Sequence, residues 1–310
     1  MIDFRYHIVS IVAVFLALGI GLLMGSGVLG DPLLENIRDR ARDVQEFNDR
    51  LKRDVDDLNS ELTVYRQFAE AVEEMLVAGV LTGRDVVIVD VSERNAPLDA
   101  LVETIEDRAG GSIASIVTTT EKFALVTPEA VDDLQGVTGL ALLEAEDLRT
   151  DSARQLGNRI AVLAEGRLTS PSQRSMVLLQ SLEESGFVDI AEEDEETPIP
   201  EGASFVVVAS GGGEPLYPVD DFVTALGAGL VRGSAPIVVV ETAESTWGAV
   251  EAVRDDGDLS DRVDTVDNID RLSGRIALVM SLDRDPEGEA GHFGEKGGAS
   301  SVIPDPGQRD

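Results

Sequence analysis

Residues 8–29 form an apolar stretch of 22 residues without one charged side chain. A continuous α-helix rises 1.5 Å per residue, so this stretch reaches across about 33 Å, the thickness of a hydrocarbon core. A backbone inside lipid must satisfy its own hydrogen bonds, which makes a membrane-spanning helix the expected state. A secretory signal peptide is the alternative, but its apolar region is usually about 7–15 residues long. Small residues at 25–30 (Gly-Ser-Gly-Val-Leu-Gly) would suit cleavage. The expectation is an uncleaved anchor over 1–30. Ala13, Ala17, Gly21 and Gly25 lie at four-residue spacing on one face, and Gly21–Gly25 is a GxxxG. Such a stripe lets two helix backbones approach closely in lipid.

Charge does not fix the orientation. Arg5 and the α-amino group flank one side, and Arg38, Arg40 and Arg42 follow the other. Long domains translocate largely regardless of such charges, so a head outside the cytoplasm is allowed.

Asp31-Pro32 opens the next segment, with Asp suited to a helix cap and Pro to a first turn. Ile37, Ala41, Val44, Asn48, Leu51, Val55, Leu58, Leu62, Tyr65, Ala69, Val72 and Leu76 then recur at alternating intervals of four and three. That heptad seam predicts a coiled-coil stalk over 31–78. With Ile37 at d, Asn48 and Val55 fall at a, and Leu51 and Leu58 at d. β-branched a positions, leucine d positions and one buried Asn favour a two-stranded parallel homodimer. Glu61 at g and Arg66 at e of the facing chain carry opposite charges. The competing reading is one long amphipathic helix packed on its own globular domain.

From 84 to 284 the pattern becomes short apolar runs alternating with helical stretches. Strands are expected at Asp85–Val91, Ser112–Thr119, Phe205–Ala209, Ile237–Glu241 and near 263–266. Helices are expected over Pro97–Arg108 and near 128–134, 151–164, 171–185, 219–231, 247–255 and 269–283. Strands apolar throughout, separated by helices, predict a doubly wound, mostly parallel α/β domain. The acidic run 189–196 reads as a surface loop. The Gly- and Pro-rich tail, 285–310, reads as weakly ordered.

Composition closes several functional classes. The chain has 25 basic and 59 acidic residues, a formal charge of −34, and only three lysines. Such a surface repels phosphate backbones, so nucleic acid is not an expected partner. The acid excess sits in the head, with 17 bases against 45 acids over 78–310, compared with 7 against 13 over 31–77. Cysteine is absent, which removes disulfides, thiolate metal sites and thiol nucleophiles. With two histidines, His7 and His292, no histidine-centred triad can be argued, and the chain reads as a non-enzyme. Ser210-Gly211-Gly212-Gly213 follows a strand and could in principle cradle an anion. Glu214 follows at once and no lysine phosphate loop exists, so a flexible connection is the plainer reading. Gly227–Gly233 is one residue too long for a dinucleotide fingerprint and lies at a helix end. Asp85, Asp90 and Glu93 hint weakly at a hard-cation site. The five methionines are scattered, leaving no soft-ligand cluster.

The order of parts is specific. The motif Ser10-Ile-Val-Ala-Val-Phe-Leu-Ala-Leu-Gly-Ile-Gly-Leu-Leu-Met-Gly-Ser-Gly27 precedes a coiled coil and an acidic α/β domain. Gly291-His292-Phe293-Gly294 and Ile303-Pro304-Asp305-Pro306 stand near the end. The whole chain resembles the mycobacterial copper transport protein B family of actinobacterial envelope proteins, whose corynebacterial relatives are named SteB. The resemblance implies a cell-envelope location and a role in copper efflux or homeostasis. It implies no bound cofactor beyond copper itself, for which His292 is the one nameable ligand. The corynebacterial relatives imply an alternative: a scaffold that, with a partner protein, controls a peptidoglycan hydrolase in cell separation.

Overall fold

The computed structural model describes residues 4–27, 30–92, 98–141, 143–166, 170–192, 199–285 and 288–305. The chain divides into two compact units, Met1–Phe68 and Ala69–Asp310.

The first unit is helical. Helix α1 (Phe4–Gly27) contains an exposed, membrane-length segment, Arg5–Gly25. Ala13, Ala17, Gly21 and Gly25 are exposed, and a Cβ at either glycine would meet open space. Helix α2 (Gly30–Val77) is 48 residues long and begins just before Asp31. At 1.5 Å per residue it extends about 72 Å. Neither Gly nor Pro interrupts residues 33–78, so nothing in the backbone breaks it. Seam residues from Ile37 to Tyr65 are exposed. Ala69, Val72 and Leu76, in the second unit, are partly buried. The helix ends where Gly79 takes a left-handed backbone, φ 71°.

The second unit is α/β. Its strands are β1 (Asp85–Asp90), β2 (Ser112–Thr119), β3 (Val188–Glu192), β4 (Ser204–Val208), β5 (Ile237–Val240), β6 (Asp264–Val266) and β7 (His292–Phe293). They form one sheet in the order β3-β2-β1-β4-β5-β6-β7. Every pairing is parallel except β2 with β3. The helices are α3 (Leu98–Val102), continued by a π-helical turn over Glu103–Arg108, then α4 (Pro128–Thr138), α5 (Ala145–Ala164), α6 (Ser170–Glu184), α7 (Val219–Leu230), α8 (Ala249–Asp255) and α9 (Leu272–Asp283).

The unbroken apolar strands make sense because both sheet faces are covered. Val87, Val89, Phe205, Val207 and Val239 enter one hydrophobic cluster with side chains of α5, α7 and α8. Val86, Ile88, Val206, Val208, Val238 and Val240 enter a second, with α9, the π-helical turn, Val77 at the end of the long helix and Leu81 in the turn beyond it. Gly227–Gly233, set aside above as a nucleotide motif, has a packing role. A Cβ at Gly229 would overlap the Arg154 carbonyl, and one at Gly157 would overlap that of Leu226. The two glycines let α5 and α7 cross backbone to backbone.

Two expectations are corrected. The start of the acidic run is not a loop: Val188–Glu192 is the antiparallel edge strand. Charged side chains suit a sheet edge, where they discourage pairing with another chain. Residues 193–198 lie outside the described ones. The tail is not loose either. Its residues 288–305 are ordered, with His292–Phe293 paired to β6 and Phe293 bridged to Ser301.

Candidate functional site

One concavity of the head lies at the carboxyl ends of its strands. The chain runs from β1 to β2 on one side and reaches β4 on the other, and divergent connections of this kind leave a crevice. The cavity has a volume of about 540 Å³ and is lined by residues ending β1 and β2, the loop before α7, and Trp247.

Asp90 ends β1 with only 4% of its surface exposed. Its Oδ1 accepts from the Ser92 amide at 2.9 Å and the Ser92 hydroxyl at 2.5 Å. Burial raises the carboxyl pKa, and those two hydrogen bonds oppose the shift. Thr119 ends β2, and its hydroxyl lies 3.2 Å from the Tyr217 hydroxyl. Burial also raises the Tyr217 pKa, opposed by the Thr119 bond and the Arg149 charge. The Arg149 guanidinium sits 5.6 Å from the Tyr217 ring centroid. It donates to the carbonyls of Phe123 and Ala124, tying α5 to the rim.

The Ser210–Gly213 turn proves to be neither an anion cradle nor a slack connection. Ser210 Oγ meets Thr242 Oγ1 at 2.7 Å and accepts from the Thr242 amide. A Cβ at Gly211 would overlap the indole of Trp247. Glycine there seats the tryptophan against the cavity. The indole Nε1 is buried without a hydrogen-bond partner.

The suggested cation group does not assemble. Asp85 and Asp90 stand at opposite ends of β1, about 16 Å apart at roughly 3.3 Å per residue. Glu93 lies outside the described residues.

His292 occupies a different place, on β7. Its Nδ1 lies 3.0 Å from Thr265 Oγ1. Burial and the Arg254 charge lower its pKa, against the Ser260 backbone and Asp261. A neutral imidazole is the form that ligates metals. Asp261 and Glu289 line the same cleft. Among the described residues, no group of three or more His, Asp or Glu converges to hold a metal ion.

Around His292 the tail is clamped by buried charge. Arg254 pairs with Asp267 at 2.9 Å and donates to the carbonyls of Phe293 and Gly297. Asp267 also accepts from the amides of Glu295 and Lys296. Lys296 reaches Glu241 at 2.8 Å, and Arg284 reaches Asp264 at 2.9 Å. Gly294, at φ 133°, leaves room for the Asp267 carboxylate, which a Cβ would overlap. A Cβ at Gly291 would overlap the Phe293 ring, so both glycines of the Gly-His-Phe-Gly motif are explained by packing. The sequence signal for the clamp was present but diluted, because single acids and arginines in so acidic a chain do not announce their pairings.

Comparison with known proteins follows the same full length. Residues 1–304 match the family described as copper transport outer membrane protein, MctB. The proteins named copper transporter MctB from Mycobacterium bovis and Mycobacterium tuberculosis are each 33% identical, over 98% of this chain and 99% of theirs. The Mycobacterium leprae protein of that name is 29% identical over the same shares. The anchor-length helix, the long second helix and the ordered tail therefore all fall within one matched sequence, and the chain belongs to the MctB family.

Proposed function

We propose that the chain serves copper homeostasis in the cell envelope as a membrane-anchored, parallel coiled-coil dimer carrying two doubly wound heads. The carrying observation is the exposed seam from Ile37 to Tyr65 on an uninterrupted 48-residue helix. Apolar side chains repeated every 3.5 residues gain burial only from a second helix. Anchoring both chains in one membrane makes them parallel, and the Ala13–Gly25 stripe would pair the anchors above the stalk. Copper enters as substrate through the naming of the relatives. One helix per chain encloses no pore, so copper movement would depend on envelope partners or on further copies. His292 is the residue proposed to contact the ion, as a neutral imidazole.

A second reading is a non-enzymatic scaffold that controls cell separation with a partner protein. The acidic head, without a converging metal-ligand group among the described residues, favours it. Deleting the gene separates the two. Copper sensitivity with normal septation supports copper homeostasis, whereas chained cells at ordinary copper support the scaffold. Isothermal calorimetry of copper(II) binding to the full chain, with and without His292→Ala, tests the ligand. Tight binding that survives the substitution removes His292 from the proposal.

A further inference from the structure

Apolar side chains on the surface of the head gather in one place. Among the described residues beyond 78, four large hydrophobic side chains are exposed: Val126, Val177, Leu216 and Val302. Scattered singly, such residues carry no meaning. Val126 and Leu216, 85% and 58% exposed, instead line one concavity of about 700 Å³, beside the 3₁₀ turn Glu121–Ala124 and the start of α4. It shares Thr120, Glu121 and Leu216 with the cavity at the strand ends, so the two run together as an open trough. Such a trough accepts a chain laid along it.

Val126 is held out rigidly. Leu125 before it is the one described non-glycine residue with a left-handed backbone, φ 54°, and its side chain is buried. That conformation costs a leucine roughly 1 kcal/mol or more and persists only where its surroundings impose it. Here Arg149 fixes the preceding turn through the Phe123 and Ala124 carbonyls, and Thr127 caps α4 by accepting from the Ala130 amide. Leu216 precedes Tyr217, whose buried ring is held by Thr119 and Arg149. Apolar side chains fixed before binding lose little entropy when they are covered.

Charge specifies what covers them. Lys122 is the one cation lining the concavity among the described residues, and it is engaged by Asp133 and the Ser185 carbonyl, both at 2.7 Å. Glu121 and Glu129 are exposed and meet no cation among the described residues, and Asp189 continues the negative edge into the neighbouring cavity. A second copy of this chain, itself at −34, is repelled from such a rim, and so is an anionic lipid surface. The complement is an apolar side chain between basic ones.

We propose that this trough docks an extended segment of a partner protein, its large apolar residues seated on Val126 and Leu216 and its flanking Lys or Arg residues facing Glu121 and Glu129. The proposal deepens the scaffold reading by naming the face of the head that meets the partner.

The full-length protein in nanodiscs of zwitterionic lipid is titrated with short dye-labelled peptides and read by fluorescence anisotropy. One peptide alternates Lys and Leu, a second Lys and Ser, a third Glu and Leu. Saturable binding of the Lys-Leu peptide alone is expected. Val126→Ser combined with Leu216→Ser leaves the charge unchanged and should weaken that binding by about tenfold or more, through lost apolar burial. Val177→Ser, at a comparably exposed position that lines neither cavity, should leave it unchanged. Glu121→Gln with Glu129→Gln should weaken binding severalfold and reduce its salt dependence. No saturable binding of the Lys-Leu peptide overturns the proposal, as does equal binding of the Lys-Ser peptide or an equal loss in Val177→Ser. A fall in oligomer mass in the Val126 and Leu216 double variant would assign the trough to a second copy and overturn it too. Binding at the trough together with normal septation on gene deletion would support the docking site while removing the cell-separation role.

Discussion

Glu73 shows how one residue can be indispensable without chemistry. It lies near the end of the long helix with none of its surface exposed, and it accepts from Arg108 and Arg275, both at 2.9 Å. These arginines come from the π-helical turn and from α9. Removing one partner of a buried ion pair leaves uncompensated charge, but here both arginines reach solvent in part, which softens the loss. Glu73→Ala is expected to cost about 2–4 kcal/mol, read from urea unfolding of the head. A loss under about 0.5 kcal/mol would show that solvent replaces the pairing fully. Three other buried carboxylates set the pH response. Burial raises the folded-state pKa of Asp90, Glu241 and Asp264 above their ordinary values of 3.8, 4.5 and 3.8. Between the ordinary and the raised values the folded chain holds more protons than the unfolded one. Stability therefore falls as pH rises through that window and is recovered on acidification. Urea midpoints should decline as pH rises above the ordinary values of 3.8–4.5, and Asp90→Asn should flatten the decline. Midpoints that climb steadily to pH 8 would contradict this assignment.

At the scale of elements, most of the architecture was readable from the sequence. The Ser112–Thr119 strand emerged with both ends correct, Gly110-Gly111 marking its start and burial alternating along its second half. The long helix was legible from its spacing alone. β3 and β7 were not, since their stability comes from neighbouring strands and from charges distant in sequence, which periodicity does not record. The cavity was also illegible: Asp90 and Trp247 are separated by 157 positions, and only the sheet order brings them to one rim. Three element-level expectations follow. Asp substitutions at Leu51 and Leu58 should convert a soluble chain starting at residue 31 from dimer to monomer by light scattering, whereas a parent chain already monomeric would remove the coiled coil from consideration. Asn48→Leu should raise the stability of that dimer while loosening its choice of oligomer. Gly157→Leu should force α5 and α7 apart, at a cost of about 1–3 kcal/mol or more by thermal unfolding. Unchanged stability would mean the crossing has slack that the close backbone approach does not suggest.

For the whole molecule, charge governs encounters. Residues 78–310 hold 28 more acids than bases, so a partner reaching the head should present a basic surface. Exposed charge is screened within about 10 Å at 0.1 M salt, whereas apolar burial along a helix seam is not. Capture of envelope proteins by the full-length chain should weaken as salt rises, with association slowing first, while self-association persists. Salt-independent capture would move attention to an apolar surface. Protease accessibility on intact cells gives the side of the membrane: cleavage of the head in whole cells is the expected result, and protection would place it in the cytoplasm.

The clamped tail has a consequence for biogenesis. Asp264 and Glu241 acquire their cationic partners from Arg284 and Lys296, which follow them in the chain. A nascent chain emerging amino end first presents these acids long before the groups that neutralise them. The sheet therefore lacks its last strand, and Asp264 and Glu241 their charge partners, until residues 284–296 have been made. A chain truncated before residue 291 lacks β7 and leaves an open sheet edge that quality-control proteases can grip.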